Sequence, residues 1–304
     1  MKKLILLLTT AFGLVATAAA QQEAAPANLA PTAEENSLLW EISGKELAAP
    51  SYLFGTIHMI NKKDFILGEQ TVAAFDKAEL VTFEINLEEM TNMAVIMPLM
   101  MKAFMKGDTT LQDLLSEADY QAVSAHFEQI GLPMMFIDRI KPMFLSALGS
   151  EDALQLQSNS GEVVSYEMEF MNMARKQGKT MSGLETAEYQ MSMFDSIPYR
   201  VQAEMLVETI EAGDASNDQF QQLVELYKAQ DLYGLQQMLA SEEAGVAEYE
   251  DLLLNQRNRN WIPLMEEMMA DQVTFFAVGA GHLAGEQGVI ALLRRQGYTV
   301  RPLR

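Results

Sequence analysis

Two of the three histidines in this chain follow a glycine by three positions, and each comes at the end of an apolar run of β type. The first unit is Gly55-x-x-His58 and the second is Gly279-x-x-His282. Imidazole is the commonest metal ligand in proteins, so a repeated unit of this kind predicts a shared metal site.

Two carboxylates are candidates to join these histidines. Glu84 stands near the end of a third strand-like run, and Glu185 follows a fourth. Ligands of open α/β sheets bind beyond the carboxyl ends of the strands, and glycine there permits a tight turn or a close approach. Two imidazoles and two carboxylates suit Zn or Mn with a bound water. Two structural histidines bonded to backbone remain the open alternative.

The composition limits the chemistry and the partners. There is no cysteine, so any metal must be held by His, Asp, Glu or water. The formal net charge is −21, which excludes nucleic acid as a partner. The hydrolytic signatures Gly-x-Ser-x-Gly and His-Glu-x-x-His do not occur.

The elements that must position these residues follow from the hydrophobic pattern. Short apolar runs predict strands at residues 38–42, 51–56, 79–86, 179–183, 273–278 and 298–302. Helical patterns lie at residues 68–77, across most of 87–176, from 187, across 198–271 and at 286–296. A β-rich start, a helical middle and a strand–helix–strand finish predict an α/β fold, a mixed sheet built from N- and C-terminal strands with a large helical insertion at about 87–271.

Within that insertion, five methionines recur at helical spacing, and the chain's remaining histidine lies nearby. The methionines are Met90, Met93, Met97, Met101 and Met105. They are interpreted as core packing or a flexible lid, with a pliable apolar groove or thioether coordination of Cu(I) as the alternatives. His126 lies in an amphipathic segment and is interpreted as an ordinary helix residue.

The N-terminal residues read as a targeting segment. A charged start, an apolar middle and a small-residue end predict a signal peptide at residues 1–20. An Ala- and Pro-rich disordered linker is expected at 21–36, followed by a single domain at 37–304. With no second apolar segment of sufficient length, we expect a periplasmic or secreted protein without a stable membrane span after cleavage.

Several segments together resemble the TraB/PrgY/GumN family, which includes the animal Tiki metalloproteases. The resemblance covers about residues 38–304. It rests on Tyr52–His58, Phe83–Glu84, Lys141–Pro142, Gly183–Thr186, Arg257–Asn258 with Trp261, and Phe276–Leu283 through Gly297–Tyr298. One departure is Tyr166–Glu167, where the family pattern often has an aspartate.

The resemblance implies a mixed α/β fold and divalent-metal-dependent hydrolysis of a peptide or protein substrate, with Mn, Zn or Co as the metal. The implied ligands are His58, His282 and Glu84, and the implied catalytic residues are Glu84, Glu185 and Arg257. Glu84 would be either a ligand or the base for a metal-bound water. Arg257 would bind a substrate carboxylate or an oxyanion, or would form a structural ion pair. The rival function is a non-catalytic protein that sequesters a peptide or small ligand in the same crevice.

Overall fold

The computed structural model describes residues 29–148, 162–240 and 249–304. The predicted signal peptide, the first half of the predicted linker and the predicted helix break at 241–245 lie outside these ranges. Within the described part of the predicted linker, Ala33–Glu35 forms a 3₁₀ turn. An ion pair of 2.6 Å between Glu35 and Arg294 anchors this turn to the folded domain.

Eight strands form two sheets in the described part of the chain. The main sheet has the order β6-β4-β7-β2-β1-β8, and β3 pairs with β5. The strands are β1 Leu39–Ser43, β2 Ser51–Thr56, β3 Ile60–Asn61, β4 Leu80–Ile85, β5 Val163–Val164, β6 Thr180–Glu185, β7 Thr274–Gly279 and β8 Thr299–Leu303.

Four neighbouring strands of the main sheet, β6, β4, β7 and β2, run parallel, whereas β1 is antiparallel to both β2 and β8. Strands β2 and β4 are buried along almost their whole length, as expected of strands covered on both faces. The mixed sheet assembled from both ends of the chain is thus confirmed. Because the four parallel strands end at one edge, the residues that follow them converge.

Thirteen helices lie within the described ranges. They are α1 Glu69–Lys77, α2 Met93–Lys102, α3 Leu111–Leu114, α4 Glu117–Gln129, α5 Met134–Ile137, α6 Pro142–Leu148, α7 Tyr166–Gln177, α8 Ala187–Met193, α9 Tyr199–Ala212, α10 Asp214–Lys228, α11 Leu232–Leu239, α12 Gln256–Asp271 and α13 Val289–Arg295. A π-helical turn, Asp251–Asn255, precedes α12. None of the helices in these ranges combines the length and hydropathy needed to span a bilayer.

The segment predicted as a helical insertion contains the strand that was predicted at 179–183, which is Thr180–Glu185, and a short strand that was not predicted, Val163–Val164. It contributes the edge strand β6 to the main sheet and β5 to the small one. Its helices α3 to α6 and α9 bury a second apolar cluster, which includes Leu111, Val123, Phe127, Leu145 and Leu206. Helices α8, α10 and α11 instead lie over the edge where the parallel strands end.

The five methionines predicted to share a helix face do not share an environment. Helix α2 begins at Met93, which is 61% exposed, and carries Met97 and Met101, which are 52% and 68% exposed. Leu99 of the same helix is buried, and Met105 is buried beyond the helix end. Core packing is therefore wrong for the helical methionines, because α2 lies at the surface and buries its branched aliphatic side.

Candidate functional site

The residues predicted from the two Gly-x-x-His units and the two carboxylates lie at adjacent strand ends. Glu185 ends β6, Glu84 is the second-last residue of β4, His282 lies three residues past the end of β7, and His58 lies two past the end of β2. Glu84, His58 and His282 line one pocket of about 460 Å³, together with Arg257. His126 lies on α4 and does not line this pocket.

Both glycines of the repeated unit lie so close to neighbouring atoms that a side chain would not fit without a shift. A Cβ on Gly55 would lie 3.1 Å from the backbone of Ala280, in the 3₁₀ turn Ala280–His282 that follows β7. A Cβ on Gly279 would lie 3.2 Å from the Glu84 Oε1, which accepts a hydrogen bond of 2.8 Å from the Gly279 N–H. The glycines thus allow the two strand ends and the carboxylate to pack together.

Arg257, the second residue of α12, fills the floor of the pocket. Its Nη2 donates to Glu84 Oε2 at 2.5 Å and to Glu185 Oε1 at 2.6 Å, and its Nε donates to Glu185 Oε1 at 2.9 Å. Its Nη1 donates to the Leu253 carbonyl and to His282 Nε2, both at 3.0 Å. A guanidinium has five N–H donors, and all five are used. This geometry favours the ion-pair alternative over a free clamp for an oxyanion.

Hydrogen bonds determine the tautomer of His282. Its Nδ1 lies 2.7 Å from Asn258 Oδ1, and Asn258 Nδ2 donates to the Gln287 carbonyl at 2.9 Å. The amide is thereby oriented with its oxygen toward the ring, so Nδ1 carries the proton and Nε2 accepts from Arg257. Burial lowers the pKa of His282 to about 3, and the charge of Arg257 acts in the same direction. His282 is therefore neutral at physiological pH.

Glu84 is a buried carboxylate, and both of its oxygens accept hydrogen bonds. Besides Arg257 and the Gly279 N–H, its Oε2 accepts from Gln190 Nε2 at 3.0 Å. Burial acts to raise the pKa of Glu84, but the positive charges of Arg257 and His58, with the hydrogen bond from the Gly279 N–H, lower it to about 2. The group is ionised at neutral pH and is fully engaged in hydrogen bonds.

His58 has a different environment, at the mouth of the pocket. Its side chain is 70% exposed, and its Nδ1 lies 2.9 Å from Glu167 Oε1. Thr56 Oγ1 and Ser165 Oγ also donate to Glu167, at 2.7 and 3.0 Å. The hydrogen bond to Glu167, together with the negative charge of that carboxylate, raises the pKa of His58 to about 9. Within the described residues, His58 Nε2 has no hydrogen-bond partner and is open to the pocket.

Apolar side chains from the helices above the sheet make most of the pocket wall. They are Met193 of α8, Leu223 of α10, Leu235 and Leu239 of α11, and Leu253 of the π-helical turn. Tyr227 of α10 closes one side, where its hydroxyl donates to the Gly55 carbonyl at 2.9 Å. A polar floor under an apolar wall is typical of a site that binds an organic ligand.

Four residues in contact with the site were not predicted as functional. Gln190 donates to both Glu84 and Glu185, and no motif in the sequence pointed to it. Trp261 Nε1 donates to Glu185 Oε2 at 3.1 Å. Asn258 and Trp261 lie in the closing block of the family resemblance, and Glu167 was noted as a departure from its pattern. That departure is the residue that contacts His58, so the longer side chain still reaches the histidine.

The predicted metal ligands do not fit a divalent ion in this arrangement. Within the described ranges, no group of three or more His, Asp or Glu side chains is arranged to hold a metal. The Nε2 of His282 and the Oε2 of Glu84, which would have to face the ion, accept hydrogen bonds from Arg257 instead. His58 keeps its Nε2 open, but its Nδ1 is paired with Glu167.

Residues 38–302 match the TraB/PrgY/gumN family, and the chain belongs to it. It is 24% identical over 326 residues to "Metalloprotease TIKI1" of Danio rerio, in an alignment that covers 89% of this chain and 64% of the relative. It is 24% identical to "Metalloprotease TIKI1" of Homo sapiens, covering 94% of this chain and 67% of the relative. The "Metalloprotease TIKI homolog" of Amphimedon queenslandica is also 24% identical, with coverages of 89% and 62%.

The chain thus spans about two thirds or less of the length of these relatives. No solved structure gave a significant match.

Proposed function

We propose that this protein hydrolyses peptide bonds in the pocket beyond the parallel strands. The observation that carries the proposal is the convergence of strand-end residues, with an exposed histidine and its carboxylate partner, beneath an apolar wall. The family and the relatives named as metalloproteases support the same reaction class. The apolar wall suits an apolar side chain of the peptide next to the cleaved bond.

In this proposal, the residues of the chain divide the work. His58 transfers protons, because its ring is accessible and Glu167 holds it through Nδ1. Arg257, Glu84, Glu185 and His282 form a preorganised floor that keeps its own geometry as substrate enters. The helices above the site exclude water from the bound segment.

Metal dependence and export are the finer parts of the proposal. Dependence on a divalent metal (Mn, Zn or Co) is supported by the relatives' names alone, which say metalloprotease without naming the ion. The described residues do not fit such an ion as they are arranged, and no reaction step is assigned to a metal. Export rests on residues 1–20. Mass spectrometry of the protein recovered outside the cytoplasm should find Gln21 at or near the N-terminus, and an intact Met1 in cytosolic protein would refute export.

The test is cleavage of a broad peptide library, followed by mass spectrometry. The purified protein should release peptide products, and His58→Gln should lower the rate by about 10² to 10⁴, the usual contribution of general acid–base catalysis. The matched control is His126→Gln, outside the pocket, which should keep the rate within about twofold. Repeating the assay with a chelator, and then with added Mn, Zn or Co, tests the metal dependence directly.

The alternative is a protein that binds peptides without turnover. The observation that favours it is the saturation of Arg257, whose donors are all occupied before any substrate arrives. Peptides that bind the wild-type protein but are recovered intact under every metal condition would support this alternative and contradict hydrolysis.

A further inference from the structure

We propose that Arg257 is the resident cation of this site. It occupies the place that a divalent ion held by Glu84 and His282 would need, so that a metal and Arg257 compete for the same lone pairs. This inference concerns cation binding and does not depend on whether the protein cleaves peptides.

Every N–H donor of the Arg257 guanidinium is used. Its five N–H groups reach four acceptors that lie on four different segments: Glu84 on β4, Glu185 on β6, His282 after β7 and the Leu253 carbonyl in the π-helical turn. This arrangement matches a guanidinium, which is planar and has its five N–H donors in fixed directions. A spherical ion does not require acceptors in those directions. The acceptors are placed for a planar cation with directional donors.

The buried carboxylates of the site also require a positive charge beside them. Glu84 and Glu185 are both nearly buried, with side chains 11% and 5% exposed, and Arg257 is 8% exposed. Two buried carboxylates need a counter-charge, because an unpaired charge in a protein interior is strongly unfavourable. Arg257 supplies one positive charge here. A divalent ion would supply two, so that the same carboxylates attract a metal once the guanidinium is removed.

Trp261 and the π-helical turn also hold the Arg257 side chain in place. The guanidinium carbon lies 4.9 Å from the ring centroid of Trp261, one helical turn along α12. The Trp261 Nε1 is itself bonded to Glu185 Oε2. The carbonyl that receives Nη1 belongs to the π-helical turn, a feature that often marks functional sites. To admit a metal, the side chain would have to leave five hydrogen bonds and an aromatic face together.

The experiment measures binding of Mn²⁺ and Zn²⁺ to the purified protein by calorimetry and by competition with a fluorescent indicator. Arg257→Gln should bind one ion at least about tenfold more tightly than the wild type, since two carboxylates and His282 Nε2 are released. Adding His282→Gln to that variant should remove the gain. The matched control is Arg259→Gln. Arg259 lies two residues after Arg257 and forms an exposed ion pair with Asp251, so this variant should bind metal as the wild type does.

An Arg257→Gln protein that folds and binds metal no more tightly than the wild type would overturn the proposal. Folding is checked by circular dichroism, because the variant leaves buried carboxylates without a counter-charge. If the variant does not fold, the proposal is tested on the wild type, by following the ring ¹⁵N resonances of His282. These should stay unchanged when Zn²⁺ is added, and a shift that saturates at one equivalent would contradict the proposal.

Discussion

The two Gly-x-x-His units lie beside each other on parallel strands, yet their histidines have opposite environments. His282 is 4% exposed, and both its nitrogens are hydrogen-bonded, to Asn258 and Arg257. His58 is exposed at the pocket mouth and is held through Nδ1 alone. The difference comes from the partner helix, since α12 closes over His282 whereas α7 supplies His58 with Glu167. A repeated motif therefore predicts where residues lie, and their packing decides what they can do.

The largest expected effect lies on the buried side of this comparison. Arg257→Ala should lower the free energy of unfolding by about 3 to 5 kcal/mol, because it leaves Glu84 and Glu185 buried without their counter-charge. Urea denaturation measures the change. Arg259→Ala, which removes an exposed ion pair, should cost about 0 to 1 kcal/mol. Equal losses in the two variants would show that the floor is not a buried ion-pair network.

The second prediction separates the two histidines by stability. His282→Gln should cost about 1 to 3 kcal/mol, because Arg257 and Asn258 each lose a buried hydrogen-bond partner. His58→Gln should change stability by no more than about 0.5 kcal/mol, because the side chain is exposed. Thermal and urea unfolding of both variants would check this. A larger loss for His58→Gln than for His282→Gln would contradict the prediction.

A smaller effect is expected where the mouth of the pocket is supported. Thr56→Val keeps the shape of the side chain but removes the hydrogen bond to Glu167. It should cost about 1 kcal/mol, because Ser165 and His58 continue to bond the same carboxylate. A loss of stability as large as that of Arg257→Ala would mean that the hydrogen bonds around His58 contribute as much to stability as those around His282.

The smallest effect is expected on the exposed face of α2. Met97→Ala should change the free energy of unfolding by at most about 0.5 kcal/mol. The matched control, Met105→Ala, removes a buried side chain and should cost about 2 to 5 kcal/mol. A similar loss in both variants would restore the core-packing interpretation of the helical methionines.

The sequence was most informative where local pattern decides structure. The paired strands β1 and β2, the covered strand β4 and the closing strand, helix and strand all follow from alternation and apolar runs, and the structure confirms the mixed sheet. Strand ends then placed His58, Glu84, Glu185 and His282 at one edge. Local pattern is strong there because burial of a strand or helix face requires a regular spacing of apolar residues.

The sequence was least informative about polar contacts between distant segments. Arg257 meets Glu84 across 173 positions and Glu185 across 72. Such contacts leave no periodicity in the sequence, since each depends on the assembled sheet and on the angle at which α12 crosses it. Gln190 was missed for the same reason. The exposure of α2 was missed because apolar spacing predicts a helix face without saying whether another element covers it.

The central claim is that the two histidines are chemically unequal, and long-range ¹H–¹⁵N correlation spectra of their rings test it most directly. The spectra are recorded from pH 4 to 10 without added metal, and signals are assigned with the His58→Gln and His126→Gln variants. The account predicts that His282 stays neutral with its proton on Nδ1 over this range, and that His58 loses its proton with a pKa of about 9. Titration of His282 near 6.5, or a proton on its Nε2, would contradict the account.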